Sequence, residues 1–407
     1  MATPAQRTNT WTLDQWYDQS VAGTTGGYVE VFEFFGWGNN GTGQLAQNNA
    51  GSPFRRSSPT QIPGTNWANV NHSRQQTVIA AKDDGTLWSW GGQSYGDGGR
   101  NNLTAASSPV QVGSGTDWST EKRVNATGHN FSMYVKNDGT MWSAGRNNKG
   151  QLGLGHRDNG GNNSAFSSPC QVLGTGWSAA SCTYDSALGL RSDGTMWSWG
   201  SAYWGKLGLS GPNNDNYSSP VQLPGTSWSK ITGNGNFAAL KTGGELYTWG
   251  FNREGQLGHN TGGPTGGSYA SVSSPKQIPG TWRDVSSMRE GCYGVKTDGT
   301  LWAWGRNQYG ELGLNQFWNP TNNGISSPTQ VGSGTDWKWV SSGTYTCYAQ
   351  KTDGSLWSWG RNLYGDMGVN LVDVGAISSP MQIGTDTNWL DEGFNGSSAA
   401  CFALKST

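Results

Sequence analysis

Short stretches of alternating large hydrophobic and small polar residues recur along the whole chain, separated by segments rich in glycine, asparagine and threonine. A representative stretch is LWSWG at residues 87–91, where tryptophans alternate with small residues. Alternation with a period of two is typical of strands that bury one face, and aromatic side chains suit such a pleated surface. The pattern predicts many short strands and therefore an all-β fold.

The strands belong to a repeat marked by the tripeptide Ser-Ser-Pro, which recurs every 50 to 60 residues and ends at Pro59, Pro109, Pro169, Pro220, Pro275, Pro328 and Pro380. Each copy leads into an apolar stretch, a Gly/Thr turn, a tryptophan, a strand of small residues, an Asp-Gly turn, the aromatic strand and a glycine-centred loop. A repeat of this length is typical of solenoids, propellers or arrays.

One repeat contains four predicted strands. The first begins at the tryptophan, the second precedes the Asp-Gly turn, as at residues 347–351, and the third is the LWxWG motif. Asp-Gly supplies the positive φ angles that a tight hairpin needs. The fourth strand is SSPxQ, where a proline is tolerated at a sheet edge. Seven units of four antiparallel strands predict a seven-bladed β-propeller.

The two ends of the chain complete one blade. After Pro380 the sequence provides Trp389 and a second strand at 401–405, and it stops before a third strand. Residues 31–38 read as the missing third strand and residues 57–62 as the fourth. We therefore expect a composite seventh blade that closes the ring and removes open strand edges. Residues 28–407 form the predicted propeller, and residues 1–27 form an N-terminal extension.

The pattern ALKxDGTLWxWGxNxxGQLG resembles the repeat of the regulator-of-chromosome-condensation family. The best copies are residues 295–314 (VKTDGTLWAWGRNQYGELGL) and 349–368, and the resemblance covers about residues 31–407. It implies a propeller, and propellers of this kind serve as exchange factors, photoreceptors, enzyme inhibitors or virion components. The low charge, the Asn/Gly/Thr/Trp-rich composition and the SSPxQ strand look most like versions encoded by marine bacteriophages.

Charge and composition narrow the classes of partner. Lys and Arg total 26 against 27 Asp and Glu, for a net charge of −1. Because no basic stripe is present, nucleic acid is not expected as a partner. No apolar run is long enough to span a membrane, and the first residues lack the features of a signal peptide, so we expect synthesis in a cytoplasm without membrane insertion. The five cysteines form no CxxC pair and are expected to be free.

The sequence predicts no enzyme, with no catalytic residue, cofactor or metal. Eighteen of the 23 tryptophans fall at three repeat positions, which predicts a packing role. The four histidines do not share one repeat position, and most aspartates lie in Asp-Gly turns. Arg306 and Arg361 directly follow a WG pair, but the Gly-Trp-Arg-His-Thr signature of the photoreceptor branch is absent.

The candidate binding residues lie in or beside the variable loops between third and fourth strands, at 153–166, 208–217, 258–269 and 313–325. Alternate hairpin turns of a blade emerge on one face, so these loops share a face. Polar loops with isolated aromatic side chains suit a sugar or a protein partner, and ordinary loop drift is the alternative. The candidates are Trp204, Tyr217, Tyr269, Phe317, Trp318 and Phe166.

The N-terminal extension contains Trp11, Trp16 and Tyr17 among polar residues. Thr12 and Gln15 have the spacing of a capping box, which predicts a short helix. We interpret this segment as an anchoring peptide that docks the propeller onto another virion subunit. A tail folded back over the blades is the alternative.

These observations lead to two functional hypotheses. The first is a bacteriophage virion or tail protein for host attachment, in which the variable loops contact a host surface glycan, a receptor or neighbouring subunits. Virion symmetry would then allow a homo-oligomer. The alternative is a cellular protein-binding or inhibitor module that uses the same face.

Overall fold

In a computed structural model the chain forms seven antiparallel sheets of four strands, so the predicted seven-bladed propeller is confirmed. The structure describes residues 32–73, 76–157, 165–211, 215–261, 271–317, 324–371, 375–396 and 400–406. The anchoring segment predicted around Trp11, Trp16 and Tyr17 lies outside these residues. Within these residues, two short 3-10 turns, Ser52–Phe54 and Tyr203–Gly205, accompany the strands.

The first two strands of the chain, β1 (Phe32–Gly38) and β2 (Arg56–Gln61), belong to the composite blade 7. Blade 1 then contains β3 (Trp67–His72), β4 (Thr77–Lys82), β5 (Leu87–Gly91) and β6 (Ala106–Gln111). Blade 2 contains β7 (Ala126–Thr127), β8 (Phe131–Val135), β9 (Met141–Arg146) and β10 (Ala165–Gln171). Blade 3 contains β11 (Trp177–Cys182), β12 (Ser186–Arg191), β13 (Met196–Ser201) and β14 (Asn216–Gln222).

Blade 4 contains β15 (Trp228–Gly233), β16 (Phe237–Lys241), β17 (Leu246–Phe251) and β18 (Ser271–Ile278). Blade 5 contains β19 (Trp282–Met288), β20 (Gly291–Lys296), β21 (Leu301–Arg306) and β22 (Gly324–Gln330). Blade 6 contains β23 (Trp337–Ser342), β24 (Thr346–Lys351), β25 (Leu356–Arg361) and β26 (Ala376–Gln382). Blade 7 is completed by β27 (Trp389–Gly396) and β28 (Ala400–Ser406).

The composite blade closes the ring as predicted. Strand β1 pairs with β28 along its whole length, from Phe32 opposite Ser406 to Gly38 opposite Ala400. The sheet order is β2-β1-β28-β27. Strands β27, β28, β1 and β2 therefore correspond to the first, second, third and fourth strands of the other blades. In all seven blades the first strand contacts the first strands of both neighbours, including β27 against β3. The first strands therefore surround the central axis, and the SSPxQ strands lie at the rim.

Two repeated contacts join neighbouring blades and explain the sequence motif. The second tryptophan of LWxWG donates its indole N–H to a backbone carbonyl in the loop of the preceding blade, at 2.8 to 3.1 Å in six blades. In blade 2 the position is Ala144, and the Tyr134 hydroxyl donates to the Asp97 carbonyl instead, at 2.8 Å. Blade 2 therefore keeps this contact with the preceding blade because a different side chain donates the hydrogen bond.

The second contact joins the loop glycine of each blade to the first serine of Ser-Ser-Pro in the next. At Gly150, whose φ is 80°, a Cβ atom would lie 2.6 Å from the Cα of Ser218. A side chain is therefore excluded at this glycine by both the backbone conformation and the close approach. The loop is also fastened to that serine by the Gly155 N–H, which donates to the Ser218 carbonyl at 2.8 Å.

The tryptophans of the repeat pack as expected. The first-strand and second LWxWG tryptophans are buried, for example Trp177 at 2% and Trp199 at 0% exposure. The five tryptophans at the first LWxWG position are half-buried. All five donate the indole N–H to a Thr or Ser hydroxyl of the Asp-Gly turn at 2.8 to 3.0 Å. The aromatic strand therefore holds both the blade core and its hairpin.

Blade 2 differs from the repeat at its inner strand. Trp118 forms only an isolated bridge with Lys136, and β7 has two residues. The cause is an insertion of four residues within the segment 119–123, because 18 positions separate Trp118 and Lys136 against 14 between Trp177 and Arg191 of blade 3. The sequence analysis missed this insertion.

Candidate functional site

We call the surface formed by the third-to-fourth loops and the first-to-second turns the loop face. Strands alternate in direction within a blade, so these two sets of connections leave the same end of every blade. The Asp-Gly turns and the connections between blades form the opposite face. The expectation that the variable loops share one face is therefore confirmed.

One residue of each loop, directly before the loop glycine, forms a ring on this face. The ring consists of Thr42, Tyr95, Lys149, Trp204, Glu254, Tyr309 and Tyr364, and all seven are half-buried. Four of them are aromatic. The ring thus presents large side chains at one repeat position around the axis.

Several of these seven loop residues contact a side chain of the next blade. That side chain belongs to the residue directly after the glycine of LWxWG. The Arg146 guanidinium lies 5.6 Å from the ring centre of Tyr95, and Arg361 lies 5.3 Å from that of Tyr309. In blade 4 the residue is Phe251, whose ring stacks on Trp204 at 4.5 Å. Ring stacking and cation–π contacts of this kind therefore cross the blade boundaries on the loop face.

The densest group of such contacts, which we call the Tyr345 cluster, consists of Arg289, Arg306, Tyr309, Tyr345 and Arg361. The three guanidinium groups lie 5.6 to 5.8 Å from the centre of the Tyr345 ring. The Tyr309 ring meets the same ring edge-on at 5.3 Å, and Arg289 donates to the Tyr345 hydroxyl. The cluster joins blades 5 and 6.

Glu290 neutralises part of this positive charge. Its carboxylate pairs with Arg306 and lies 3.8 Å from the Arg289 guanidinium. Burial lowers the pKa of Arg306, but the ion pair with Glu290 raises it overall. The Arg289 side chain stays 42% exposed. The cluster therefore combines two tyrosine rings with three guanidinium groups, of which that of Arg289 is exposed.

The aromatic residues predicted from the loops do not form one cluster. Trp204 lies in the 3-10 turn with φ at 62°, and it packs between Tyr203 at 4.3 Å and Phe251 at 4.5 Å. A bulky residue with positive φ is unusual, and its strain is of order 1–3 kcal/mol. Phe317, in the loop of blade 5, is 54% exposed.

The other predicted residues have different positions. Phe166 is half-buried at the start of β10, where it packs against the core of blades 2 and 3. Tyr217 is half-buried at the start of β14 and pairs opposite Gly200. Tyr269 and Trp318 lie outside the described residues. Among the predicted residues that the structure describes, Trp204 therefore joins an aromatic group with Tyr203 and Phe251, and Phe166 contacts the ring of His156 at 6.1 Å. The sequence analysis did not select these partner residues.

The sequence analysis also missed the Tyr345 cluster. It noted that Arg306 and Arg361 follow a WG pair, but it considered them only for a photoreceptor-type tryptophan cluster. Two further features of the sequence would have located the group: tyrosines recur directly before the loop glycine, and the first-to-second turns of blades 5 and 6 carry Arg289 and Tyr345.

Three buried carboxyl groups lie below the loop face at the repeat position directly after the loop glycine. This position is glutamine in three blades, and the Gln256 side chain accepts a hydrogen bond from the Glu254 N–H at 2.8 Å. Glu311 makes the same contact with the Tyr309 N–H. Burial raises the pKa of Glu311 to about 7, and it raises those of Asp97 and Asp366 to about 6.

The cysteines and His129 were also considered as candidate functional residues. Four of the five cysteines are buried, Cys170 is half-buried, and all five are free. His129 stacks on Tyr184 at 3.8 Å on the loop face. Within the described ranges, no three His, Cys, Asp or Glu residues converge as metal ligands. Nor does any helix in that part of the chain have the length and apolar character needed to cross a bilayer.

The fold and this face define a seven-bladed propeller of aromatic repeats with a cluster of arginine and tyrosine side chains on its loop face. The family model of the regulator of chromosome condensation (RCC1) repeat matches residues 138–188, 193–238, 243–292 and 298–350. Four stretches of the chain, from blade 2 to blade 6, therefore match this repeat, in agreement with the resemblance in its sequence.

Proteins with similar sequences include receptors and regulators. The Ultraviolet-B receptor UVR8 of Arabidopsis thaliana is 28% identical over 82% of this chain and 74% of its own length. A secretion-regulating guanine nucleotide exchange factor of Bos taurus is 25% identical over 73% of this chain and 63% of its own. The human E3 ubiquitin-protein ligase HERC2 is 26% identical over 73% of this chain, which corresponds to 7% of that protein.

Solved structures show the same fold. Prp20p from Saccharomyces cerevisiae superposes with a TM-score of 0.77 at 17% identity over 93% of this chain and 92% of its own. Its structure is described together with its binding to Gsp1p and histones. Human WBSCR16 has the same TM-score at 19% identity over 92% of this chain and 99% of its own. At these identities the likeness concerns the fold.

Proposed function

We propose that this chain is a non-enzymatic scaffold that binds a protein partner on its loop face, with the Tyr345 cluster as the principal contact. The observation that carries the proposal is the packing of three arginines around Tyr345 and Tyr309. Tyrosine, tryptophan and arginine are the residues most enriched in binding hot spots. The similarity to Prp20p, described as binding Gsp1p and histones, adds support at the level of the fold.

The geometry favours a partner with acidic groups. Arg289, Arg306 and Arg361 surround the tyrosines, and Glu290 pairs with only part of this charge. The arginines are held by ring and carboxylate contacts, so binding costs little side-chain entropy. A carboxylate of the partner can then accept paired hydrogen bonds from the exposed Arg289 guanidinium.

The test uses the purified full-length chain as bait and measures the affinity of each recovered protein for the wild type and two variants. Arg289→Ala should weaken binding by about 30-fold or more, because hot-spot truncation costs about 2 kcal/mol or more. Arg283→Ala is the matched control, since Arg283 belongs to the same blade but follows Trp282 near the opposite face. Equal affinity of wild type and Arg289→Ala would contradict the proposal.

The finer hypotheses from the sequence concern the setting of this binding. A bacteriophage virion or tail protein would place the loop face against a host receptor, a surface glycan or a neighbouring subunit, whereas a cellular inhibitor module would grip a soluble protein. The virion hypothesis rests on the sequence resemblance. Sedimentation of the chain with assembled particles supports it, and its exclusion from purified particles rejects it.

A further inference from the structure

Every blade carries one cation between two aromatic rings, near the face opposite the loop face. The cation lies at the end of the second strand and contacts the first aromatic residues of strands one and three. Its distance to both ring centres is 3.8 to 5.8 Å, and the seven residues are Lys82, Lys136, Arg191, Lys241, Lys296, Lys351 and Lys405. Blade 3 therefore differs from the other blades in having arginine at this position.

Three blades pair this cation with a carboxylate from the connection that leads into the first strand. The nitrogen-to-oxygen distances are 2.8 to 3.2 Å, and the pairs are Asp117–Lys136, Asp336–Lys351 and Asp386–Lys405. The residue directly before the first-strand tryptophan is aspartate in blades 2 and 6, and it is Gly176 in blade 3. Within the described part of the chain, no carboxylate forms an ion pair with Arg191. Blade 3 thus keeps the cation of this arrangement and lacks its acid.

Two indole rings hold the Arg191 side chain. Its guanidinium lies 4.6 Å from the ring centre of Trp177 and 4.2 Å from that of Trp197, and these rings meet edge-on at 6.3 Å. The Arg191 Nε–H is buried and has no hydrogen-bond acceptor among the described residues. Because contacts on both sides already restrict the side chain, a ligand that binds the guanidinium loses little of its affinity to side-chain entropy.

The nearby carboxylate of Asp193 has other partners. Its Oδ1 accepts hydrogen bonds from the hydroxyl and the backbone N–H of Thr195, at 2.7 and 2.9 Å. These bonds are the main reason why the pKa of Asp193 is lowered, and Arg191 adds a weaker electrostatic effect. Asp193 therefore stays bound within the Asp-Gly turn.

The indole N–H of Trp177 is a second buried donor at this place. Trp177 is 2% exposed, and its N–H has no acceptor among the described residues. In blade 5 the connection is one residue shorter, and the equivalent N–H of Trp282 donates to the Pro279 carbonyl at 3.3 Å. A buried donor without an acceptor is unfavourable. The N–H of Trp177 therefore favours an oxygen atom supplied from outside the chain.

Two glycines of the connection border both donors. A Cβ atom on Gly174 would lie 2.5 Å from Nη2 of Arg191 and 3.5 Å from Cζ2 of Trp177, two bonds from the indole nitrogen. A Cβ atom on Gly176 would meet nothing within 4 Å. The guanidinium and the N–H edge of the indole therefore lie beside the same glycine, and the connection carries no side chain at these two positions.

We propose that Arg191 and Trp177 bind a carboxylate group of a peptide, either of an acidic side chain or of the C-terminus. The guanidinium fork donates two parallel hydrogen bonds to a planar carboxylate, whereas a lysine acts as a point charge. The bound carboxylate would pair with Arg191 as Asp117 and Asp336 pair with the lysines of their blades, and the Trp177 N–H would donate to one of its oxygens. The site lies on the face opposite the Tyr345 cluster, so the two proposals stand or fall independently.

The test follows the Trp177 indole N–H by NMR in the ¹⁵N-labelled full-length chain, with the signal identified from its absence in Trp177→Phe. Acetyl-Gly-Asp-Gly-amide and acetyl-Gly-Gly-Gly with a free C-terminus are titrated at constant ionic strength, with acetyl-Gly-Gly-Gly-amide as the uncharged control. We expect a saturable shift of this signal with at least one acidic peptide and none with the control. The peptide that binds more tightly identifies the source of the carboxylate.

Arg191→Lys tests the guanidinium without changing the net charge. Lysine occupies this position in the six other blades, so the variant should fold, and the affinity should fall about tenfold because the paired hydrogen bonds are lost. Lys351→Arg is the matched control, since it places the same fork in blade 6 beside Asp336 and should leave the Trp177 titration unchanged. The proposal is overturned if the wild type shows no saturable shift, if the uncharged peptide shifts the signal equally, or if Arg191→Lys binds as tightly as the wild type.

Discussion

Replacing Glu311 by glutamine should remove a pH-dependent weakness from the propeller. Glu311 is 1% exposed and occupies a position where three other blades carry glutamine. Its folded-state pKa of about 7, against 4.5 for the free group, means that the folded protein binds more protons than the unfolded chain between these values. Stability from this group is therefore complete below pH 4.5 and is lost as the pH rises through 7.

The size of the effect follows from the same shift. One pKa unit corresponds to about 1.4 kcal/mol, so the loss for Glu311 between low pH and about pH 8 is about 3 kcal/mol. Glutamine avoids this loss, but its amide N–H groups need acceptors. The side-chain nitrogens of Gln44 and Gln256 have no hydrogen-bond partner among the described residues. An unpartnered amide costs about 1–2 kcal/mol, which leaves a net gain of about 1–2 kcal/mol at about pH 8.

Urea unfolding followed by tryptophan fluorescence at about pH 5 and about pH 8 measures this difference. We expect Glu311→Gln to be the more stable protein at the higher pH, and we expect the wild type to recover most of the difference at the lower pH. Gln256→Glu is the reciprocal control and should lose stability only at the higher pH. An unchanged pH dependence in Glu311→Gln would refute the reasoning.

Three further outcomes follow from the contacts between and within blades. Deleting residues 400–407 removes β28 from the middle of the composite sheet, so the protein should unfold or aggregate. A circular dichroism spectrum like that of the wild type would contradict the role of β28 in closing the propeller. Tyr134→Phe removes the donor to the Asp97 carbonyl and should lower the free energy of unfolding in urea by about 1–2 kcal/mol. An unchanged free energy of unfolding would show that this hydrogen bond between blades 1 and 2 does not stabilise the protein. Gly153→Ala should lower the melting temperature more than Gly113→Ala, because a Cβ at the first would lie 2.9 Å from two side chains and one at the second meets nothing within 4 Å. Equal effects would show that backbone conformation alone decides both.

The sequence predicted the fold to within a few residues because the repeat carries its own register. The third strand of blade 1 was expected at 87–91, and β5 has these bounds. Ser-Ser-Pro and the loop glycine contact each other across every blade boundary, so each copy reports the same geometry. Strand prediction and ring closure both depended on this regularity.

The departures from the repeat could not be predicted in the same way. The path of residues 119–123 depends on ion pairs and hydrogen bonds with three other blades, namely blades 1, 5 and 7. The Tyr345 cluster combines residues that are up to 72 positions apart, from Arg289 to Arg361. Such groups form only when the blades have packed against each other, and a local pattern contains no information on which loops will meet.

The pairing of β1 with β28 also determines how the ring responds to a pulling force. Phe32 and Ser406 face each other at one end of this antiparallel ladder. A force that pulls these two residues apart would break the hydrogen bonds of the ladder one after another from that end, and would not shear the whole ladder at once. Blade 7 is therefore the blade that opens first under tension. In the other six blades, continuous chain connects all four strands.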